Sequence, residues 1–181
     1  MKNKPSSSKI LVKRIAILGN CGSGKTTLGV NLSKILNIPL YHLDQYYYKP
    51  NWEKAPFEEY LEIHNTLCKQ DKWIIDGTGT RTLAHRLQRA DCIIFLDIPR
   101  SICLWRVFKR LLINWGKVRF SSASGCKERF NFGFFKWVWN FDKRKFVFFD
   151  MFEKLEDKKI YVVKSSCDLK RILDQFKAMA Q

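Results

Sequence analysis

One eight-residue string constrains this chain more than any other feature. It has the pattern GxxxxGK followed by Thr, and its members are Gly19, Asn20, Cys21, Gly22, Ser23, Gly24, Lys25 and Thr26. Glycines let a backbone wrap closely around a phosphate, and the N–H groups at a helix start attract its negative charge. The lysine then reaches the β and γ phosphates, and the threonine hydroxyl suits Mg²⁺. The string therefore predicts a phosphate-binding loop, provided that a strand precedes it and a helix follows it.

The hydrophobic pattern supplies that context. From residue 14 onward, short apolar runs alternate with longer amphipathic ones, which is the pattern of βαβ units and a parallel sheet. Strands are predicted at residues 14–18, 39–43, 73–76, 92–96 and 160–163, and helices at residues 25–36, 57–68, 83–89 and 101–113, with a last helix beginning near Asp168. In the helix of residues 101–113, we expect the inward-facing side chains to be Ile102, Trp105, Leu112 and either Val107 or Phe108.

Length and composition fit one globular domain. The 181 residues are 46% apolar and 28% charged, so a core can form without a disulfide or metal staple. We predict an α/β fold of the P-loop NTPase type, in which a five-stranded parallel sheet is flanked by helices and carries a basic helical lid at about residues 114–145. Residues 14–181 form this domain. Residues 1–13 lack the apolar segment of a signal peptide and predict a flexible tail.

The cysteines indicate a compartment rather than a chemistry. All six are scattered without a CxxC pair, which is typical of a reducing cytosol. No stretch approaches the roughly 20 uncharged residues of a membrane span. We therefore expect a cytoplasmic protein without a membrane partner. Cys21, inside the loop, is interpreted as a small spacer, and an activated thiol beside Lys25 is the alternative.

Several strings resemble known families. The loop, residues 73–77 (WIIDG) and residues 95–100 (FLDIPR) together resemble adenylate-kinase-type small P-loop kinases. Residues 41–44 (YHLD), 49–52 (KPNW), 104–107 (LWRV) and 135–141 (FKWVWNF) resemble one branch, the DNA topology modulation proteins of the FlaR type. This resemblance runs from about residue 14 to the C-terminus. It implies a kinase fold, with ATP and Mg²⁺ as cofactors.

Two strand-end carboxylates compete for the magnesium ion beside Thr26. Asp76 ends one apolar run and is followed by Gly77, and Asp97 ends another. In P-loop proteins such a carboxylate holds the water shell of the metal. We favour Asp76, because in small P-loop kinases the third strand lies beside the phosphate-loop strand. Asp97 is the second choice, and its alternative role is capping the helix after Pro99.

The resemblance also implies a lid that bears arginines. Arg106 matches the position that such kinases place against adenine, Arg110 the position on the transferring phosphates, and Arg144 is a further candidate. Positive donors of this kind stabilise charge on the transferred phosphoryl group. The alternative is a solvated basic face of one helix. The predicted nucleotide-binding residues are the eight loop residues together with Thr27 and Arg106.

The acceptor is less defined. Adenylate kinases have a Pro-Arg pair soon after the Asp-Gly of the third strand, whereas here Asp76-Gly77 is followed by Thr-Gly-Thr and then Arg81. The proline is absent and the arginine is displaced by one residue. Arg81 could still hold an anionic or polar group. Asp44, at the end of the second strand, either orients an acceptor hydroxyl or caps the following turn. His42 is interpreted as a packed strand residue.

Positive charge and aromatic residues are concentrated in one segment. Residues 97–150 hold 12 Lys and Arg against 4 Asp and Glu, half of the net charge of +16, interleaved with Phe and Trp. This segment could form a stacking groove for single-stranded nucleic acid or a lid that excludes water from ATP. We favour the lid. The predicted function is transfer of a phosphoryl group from ATP to a small acceptor, with nucleotide-like molecules among the candidates. The alternative is a nucleic-acid-associated regulator that uses ATP as a ligand or switch.

Overall fold

Five of the seven strands in the described part of the chain form one parallel sheet, as predicted. The computed structural model describes residues 12–155 and 157–180. The strands are β1 (Arg14–Gly19), β2 (Leu40–His42), β3 (Tyr48–Lys49), β4 (Glu53–Lys54), β5 (Trp73–Asp76), β6 (Cys92–Leu96) and β7 (Lys159–Val163). The sheet order is β2-β5-β1-β6-β7, and β3 and β4 form a separate antiparallel hairpin. The phosphate-loop strand therefore lies at the centre, with β5 beside it.

Helices cover the sheet. They are α1 (Lys25–Leu36), α2 (Asp44–Tyr47), α3 (Phe57–Lys69), α4 (Leu83–Arg89), α5 (Arg100–Ile113), α6 (Phe132–Trp139), α7 (Lys145–Glu153) and α8 (Ser166–Ala180). The predicted bounds of the helices at residues 25–36 and 83–89 are confirmed. The four-residue α2 and the hairpin of β3 and β4 are too short to leave a periodic signal in the sequence.

The core lies on both faces of the sheet. Along β1, Ile15 and Ile17 pack with Leu28 of α1 on one face, and Ala16 and Leu18 pack on the other. A parallel strand that is buried on both faces reads as a continuous apolar run, which is why this strand could be located from the sequence.

The predicted inward face of α5 is confirmed for Val107 and wrong for Ile102, Trp105 and Leu112. The buried side chains are Cys103, Val107 and Leu111, whereas Ile102, Trp105, Phe108 and Leu112 are exposed. The helix is apolar on both faces, so its periodicity does not define its rotation. Its rotation follows from contact with the phosphate loop, because a Cβ atom at Gly22 would lie 2.3 Å from the carbonyl oxygen of Cys103.

Most of the predicted N-terminal tail, residues 1–11, lies outside the described residues. Its last two residues pack against the domain: Val12 is buried, and the Lys13 amide donates to the Asp91 carboxylate at 3.1 Å. Among the helices of the described residues, none combines the length and apolar character needed to cross a membrane.

Candidate functional site

The phosphate-loop string connects β1 to α1, as predicted. The φ angles of Gly19, Gly22 and Gly24 are 137°, 80° and 106°, which are values that side-chain-bearing residues rarely adopt. The first turn of α1 contains no acidic residue, so the partial positive charge of its N-terminus is not neutralised there. The loop therefore has the backbone shape and the field of an anion site.

Two positively charged side chains, those of Lys25 and Arg106, contact this loop. The Nζ atom of Lys25 donates to the carbonyl oxygens of Gly19 at 2.9 Å and Asn20 at 2.8 Å. From α5, Nη1 of Arg106 donates to the carbonyl oxygen of Ser23 at 3.3 Å. Both contacts are with backbone oxygens that a bound anion can replace as the partner. The sequence placed both residues at the nucleotide, and the structure brings both to the loop.

Thr26 and Asp76 meet at the carboxyl end of the sheet. The Thr26 hydroxyl donates to Oδ2 of Asp76 at 2.9 Å, and Nδ1 of His42 lies 3.1 Å from the same oxygen. Asp76 and His42 are both buried. The sequence anticipated the pair of Thr26 and Asp76. It assigned His42 to packing alone, and the hydrogen bond to Asp76 adds a positioning contact.

Asp97 is engaged elsewhere. Its carboxylate forms an ion pair with Lys145 of α7, and the same lysine lies 3.0 Å from Asp142. No described side chain caps the N-terminus of α5, where Pro99 occupies the capping position. The capping role suggested for Asp97 is therefore wrong, and its charge is balanced by α7.

Asp44 begins α2, after Leu43 and the end of β2, and its side chain is exposed. Neighbouring protein atoms exclude part of the water around the Asp44 carboxylate and so raise its pKa, and the nearby Asp76 raises it further. Lys25, Arg119 and Arg110 act in the opposite direction. The structure therefore gathers these five groups into one electrostatically coupled set.

Arg119 is a site residue that the sequence analysis missed. It pairs with the buried carboxylate of Glu128, and its Nη1 donates to the Ser121 hydroxyl at 3.1 Å. The Nε atom of Arg110 lies 3.9 Å from the same Glu128 carboxylate. Burial and the neighbouring Arg119 lower the pKa of Arg110. Since one carboxylate faces two guanidinium groups, the pair retains positive charge.

Arg119 belongs to a loop that packs on the hairpin of β3 and β4, whereas Arg110 lies on α5. We call residues 115–130 the lid loop. Gln45 donates to the Phe120 carbonyl at 2.6 Å, the Trp52 indole donates to the Lys127 carbonyl at 2.7 Å, and the Phe120 ring meets His42 edge-on at 5.6 Å. The sequence predicted an exposed loop at residues 115–126. This is wrong for four of its residues, which are buried by these long-range contacts, namely Ser121, Ser122, Ala123 and Cys126.

Four other predicted residues have different surroundings. The exposed Arg81 guanidinium lies over the Phe57 ring of α3, 5.1 Å from its centroid. Arg144 lies over the Trp137 ring at 3.9 Å and donates to the Trp137 carbonyl at 2.6 Å. Burial raises the pKa of the Cys21 thiol, which agrees with a spacer rather than an activated nucleophile. Thr27 is exposed beside Thr26.

Comparison with known proteins extends these observations. No family model matches the chain. The chain is 32% identical over 135 residues to the uncharacterized protein YqaC of Bacillus subtilis (strain 168). The match covers 72% of this chain and 73% of YqaC. Among solved structures, shikimate kinase from Bacteroides thetaiotaomicron has a TM-score of 0.58 at 14% identity, covering 93% of this chain and 98% of that one. Deoxyadenosine kinase from M. mycoides with bound dATP has a TM-score of 0.54 at 17% identity, covering 91% and 97%.

Proposed function

The chain belongs to the family of the Bacillus subtilis protein YqaC and has the fold of the P-loop kinases, and from this premise we propose that it transfers the γ-phosphoryl group of ATP to a small acceptor. The observation that carries the proposal is the meeting of Lys25, Thr26 and Asp76 at one phosphate loop. A loop that only bound an anion would not require a buried carboxylate beside its threonine.

The nucleotide is held by the loop and by two cations. The backbone of residues 19–26 surrounds the phosphates, and Lys25 leaves its contacts with Gly19 and Asn20 to bind the β and γ phosphates. Arg106, which already contacts the loop at Ser23, lies on the nucleotide side of α5. Thr27 follows Thr26 at the start of α1 and belongs to the same set.

Thr26 and Asp76 fit a magnesium ion. A hydroxyl and a carboxylate at 2.9 Å form the kind of hard oxygen donor set that Mg²⁺ prefers. When bound, this ion neutralises charge on the β and γ phosphates. His42 holds the Asp76 carboxylate in place, since its Nδ1 lies 3.1 Å from Oδ2 and both residues are buried.

Phosphoryl transfer then depends on position and charge. The acceptor hydroxyl oxygen forms a bond to the γ-phosphorus while the bond to the β–γ bridging oxygen breaks, and ADP leaves with that oxygen. Glu128 neutralises only one of the two positive charges of Arg110 and Arg119. The remaining positive charge stabilises negative charge on the transferred group. Asp44 accepts the hydroxyl proton, and its raised pKa suits it to this step.

The acceptor lies between Asp44 and the lid loop. Phe120 and His42 offer an aromatic wall there, and Gln45 ties the lid to α2. A small hydroxylated molecule is a better candidate than a polymer, because the lid loop packs on the hairpin. Arg81, lying over Phe57, contributes to the acceptor side only if it leaves that ring.

ADP formation in the presence of candidate acceptors tests this function. With ATP and Mg²⁺, a panel of nucleosides, nucleoside monophosphates, sugars and hydroxy acids is expected to include one acceptor that accelerates ADP formation at least about tenfold above the rate with ATP alone. Asp44→Asn is expected to lower the accelerated rate by about 100-fold, because the proton acceptor is lost. Asp174→Asn, at an exposed pair with Lys177 on α8, is the control and should leave the rate unchanged. A panel in which no acceptor changes the rate would contradict the proposal.

A second candidate is the nucleic-acid-associated regulator. It is favoured by the exposure of aromatic rings such as Phe120, Phe130 and Phe132 in the basic segment. Binding of single-stranded DNA at physiological salt, together with no acceptor-dependent ADP formation, would transfer the function to this candidate.

A further inference from the structure

Outside the phosphate site, α3 and α4 bring together two histidines and a cysteine. His64 and Cys68 lie one turn apart on α3, and His85 comes from α4. One ligand atom from each residue lies within 4.8 Å of the other two. His64 and Cys68 are both fully buried. Two of the three ligands are therefore held inside the fold, and the third, His85, lies nearer the surface.

The spacing approaches that of a metal site. The Cys68 Sγ atom lies 3.7 Å from His64 Nε2 and 3.9 Å from His64 Nδ1. In a tetrahedral zinc site, a sulfur and a nitrogen ligand are separated by about 3.6 Å, given the usual metal–ligand bond lengths. His85 must approach the other two ligands by about 1 Å to complete the set. Its Nδ1 atom is buried and has no hydrogen-bond partner among residues 12–155 and 157–180.

We propose that His64, Cys68 and His85 bind one transition-metal ion of the zinc type, which cross-links α3 to α4. Two imidazole nitrogens and one thiolate sulfur are ligands that Zn²⁺ prefers, whereas Mg²⁺ and Ca²⁺ prefer oxygen. The site is thus chemically distinct from the oxygen donors of Thr26 and Asp76. A metal that serves phosphoryl transfer would not compete for it.

Burial favours metal binding by one of the ligands, His64, and restrains it at another, Cys68. Burial lowers the pKa of His64 to about 4, so its imidazole is neutral and keeps a free lone pair near pH 7. Burial raises the pKa of Cys68 to about 11, so its thiol releases its proton to solvent only as the sulfur–metal bond forms. Arg86 and Arg89 act in the opposite direction on Cys68 and assist that ionisation.

Arg86 explains why the cysteine is essential. Its guanidinium is fully buried, and its Nε and Nη1 atoms have no hydrogen-bond partner within the described part of the chain. The positive charge of Arg86 repels a divalent metal ion at this position unless a nearby thiolate offsets the repulsion. The Cys68 thiolate supplies the negative charge that both the ion and Arg86 require. A site made of neutral ligands alone would not bind at this position.

The cross-link would fix two helices that flank the acceptor side. Arg81, just before α4, lies over Phe57 at the start of α3. Arg86 of α4 donates to the carbonyl oxygen of Gly77 at 2.9 Å, directly after Asp76. A bound ion would therefore restrain α4 where it contacts the end of β5.

Titration of the reduced, chelator-treated protein with Co²⁺ and then Zn²⁺ tests the proposal. We expect one equivalent of Co²⁺ to bind with a thiolate-to-cobalt charge-transfer band, and Zn²⁺ to displace it. Cys68→Ser is expected to abolish the band, and Cys92→Ser, at an equally buried thiol of β6, is the control that should retain it. His85→Ala should weaken Zn²⁺ binding by more than about 100-fold, as measured by competition with a chromophoric chelator.

The His85→Ala variant tests metal binding even if the Cys68→Ser variant fails to fold, because His85 is not fully buried. Circular dichroism of each variant confirms that it is folded. Equal Zn²⁺ affinity of the wild-type chain and folded His85→Ala would overturn the proposal. A wild-type cobalt complex that lacks the thiolate band would also overturn the proposal, because the cobalt would then be bound neither to Cys68 nor to any of the other five cysteines.

Discussion

Replacing Lys25 with alanine is expected to lower acceptor-dependent ADP formation by about 1,000-fold, the scale of losing one charged donor in a water-poor site. Lys25 is the cation at the loop itself, where it rests on the carbonyl oxygens of Gly19 and Asn20. No other described lysine contacts these loop carbonyls, so none can take its place at the phosphates. Initial rates of ADP formation at saturating acceptor measure the effect.

Lys34→Ala is the matched control, because it removes one positive charge from the same helix at an exposed position. Its rate should remain within about twofold of the wild-type rate, since a surface charge outside a site contributes little. A folded Lys25→Ala variant that retains more than a tenth of the wild-type rate would contradict the assigned role. The loop would then bind phosphate through its backbone alone.

Replacing Asp76 with asparagine is expected to lower the rate by about 1,000-fold and to raise the Mg²⁺ concentration needed for half-maximal rate. The asparagine side chain is nearly the same size as the aspartate it replaces, so the contact with Thr26 and the packing around His42 can persist while the negative charge is lost. Rates measured across a Mg²⁺ titration separate weaker metal binding from loss of the fold. A thermal unfolding scan accompanies each variant.

Asp97→Asn distinguishes the two strand-end carboxylates. It loses the ion pair with Lys145, and it should change the rate less than tenfold without altering the Mg²⁺ requirement. The opposite pattern, in which Asp97→Asn abolishes Mg²⁺-dependent turnover and Asp76→Asn does not, would move the metal to the end of β6.

The features that the sequence predicted correctly depend on local or strongly periodic signals. The strands were located because a doubly buried parallel strand is a compact apolar run, and α1 was located because the loop precedes it and Asn37 ends it. Thr26 and Asp76 could be paired in advance because small P-loop kinases place the third strand beside the phosphate-loop strand, as β5 lies beside β1 here. The first two inferences need no knowledge of long-range packing, and the third takes it from the family resemblance.

The features that it missed depend on contacts between distant segments. Arg119 lies in a loop without hydrophobic periodicity. Its proposed role depends on its pairing with Glu128 and its closeness to Asp44, and neither contact can be predicted from the local sequence. The rotation of α5 follows from the approach of Cys103 to Gly22 rather than from apolar periodicity. The His64, Cys68 and His85 cluster likewise requires knowing that α3 and α4 are neighbours.

Calorimetric titration of the chain with ATP, in the presence and absence of Mg²⁺, measures directly whether the loop binds a nucleotide. We expect saturable binding of one ATP per chain, tighter with Mg²⁺ than without it, and at least about tenfold weaker in Lys25→Ala. The absence of measurable heat with any purine nucleoside triphosphate at millimolar concentration, with or without Mg²⁺, would contradict it. In that case the loop at Gly24 would not be a nucleotide site.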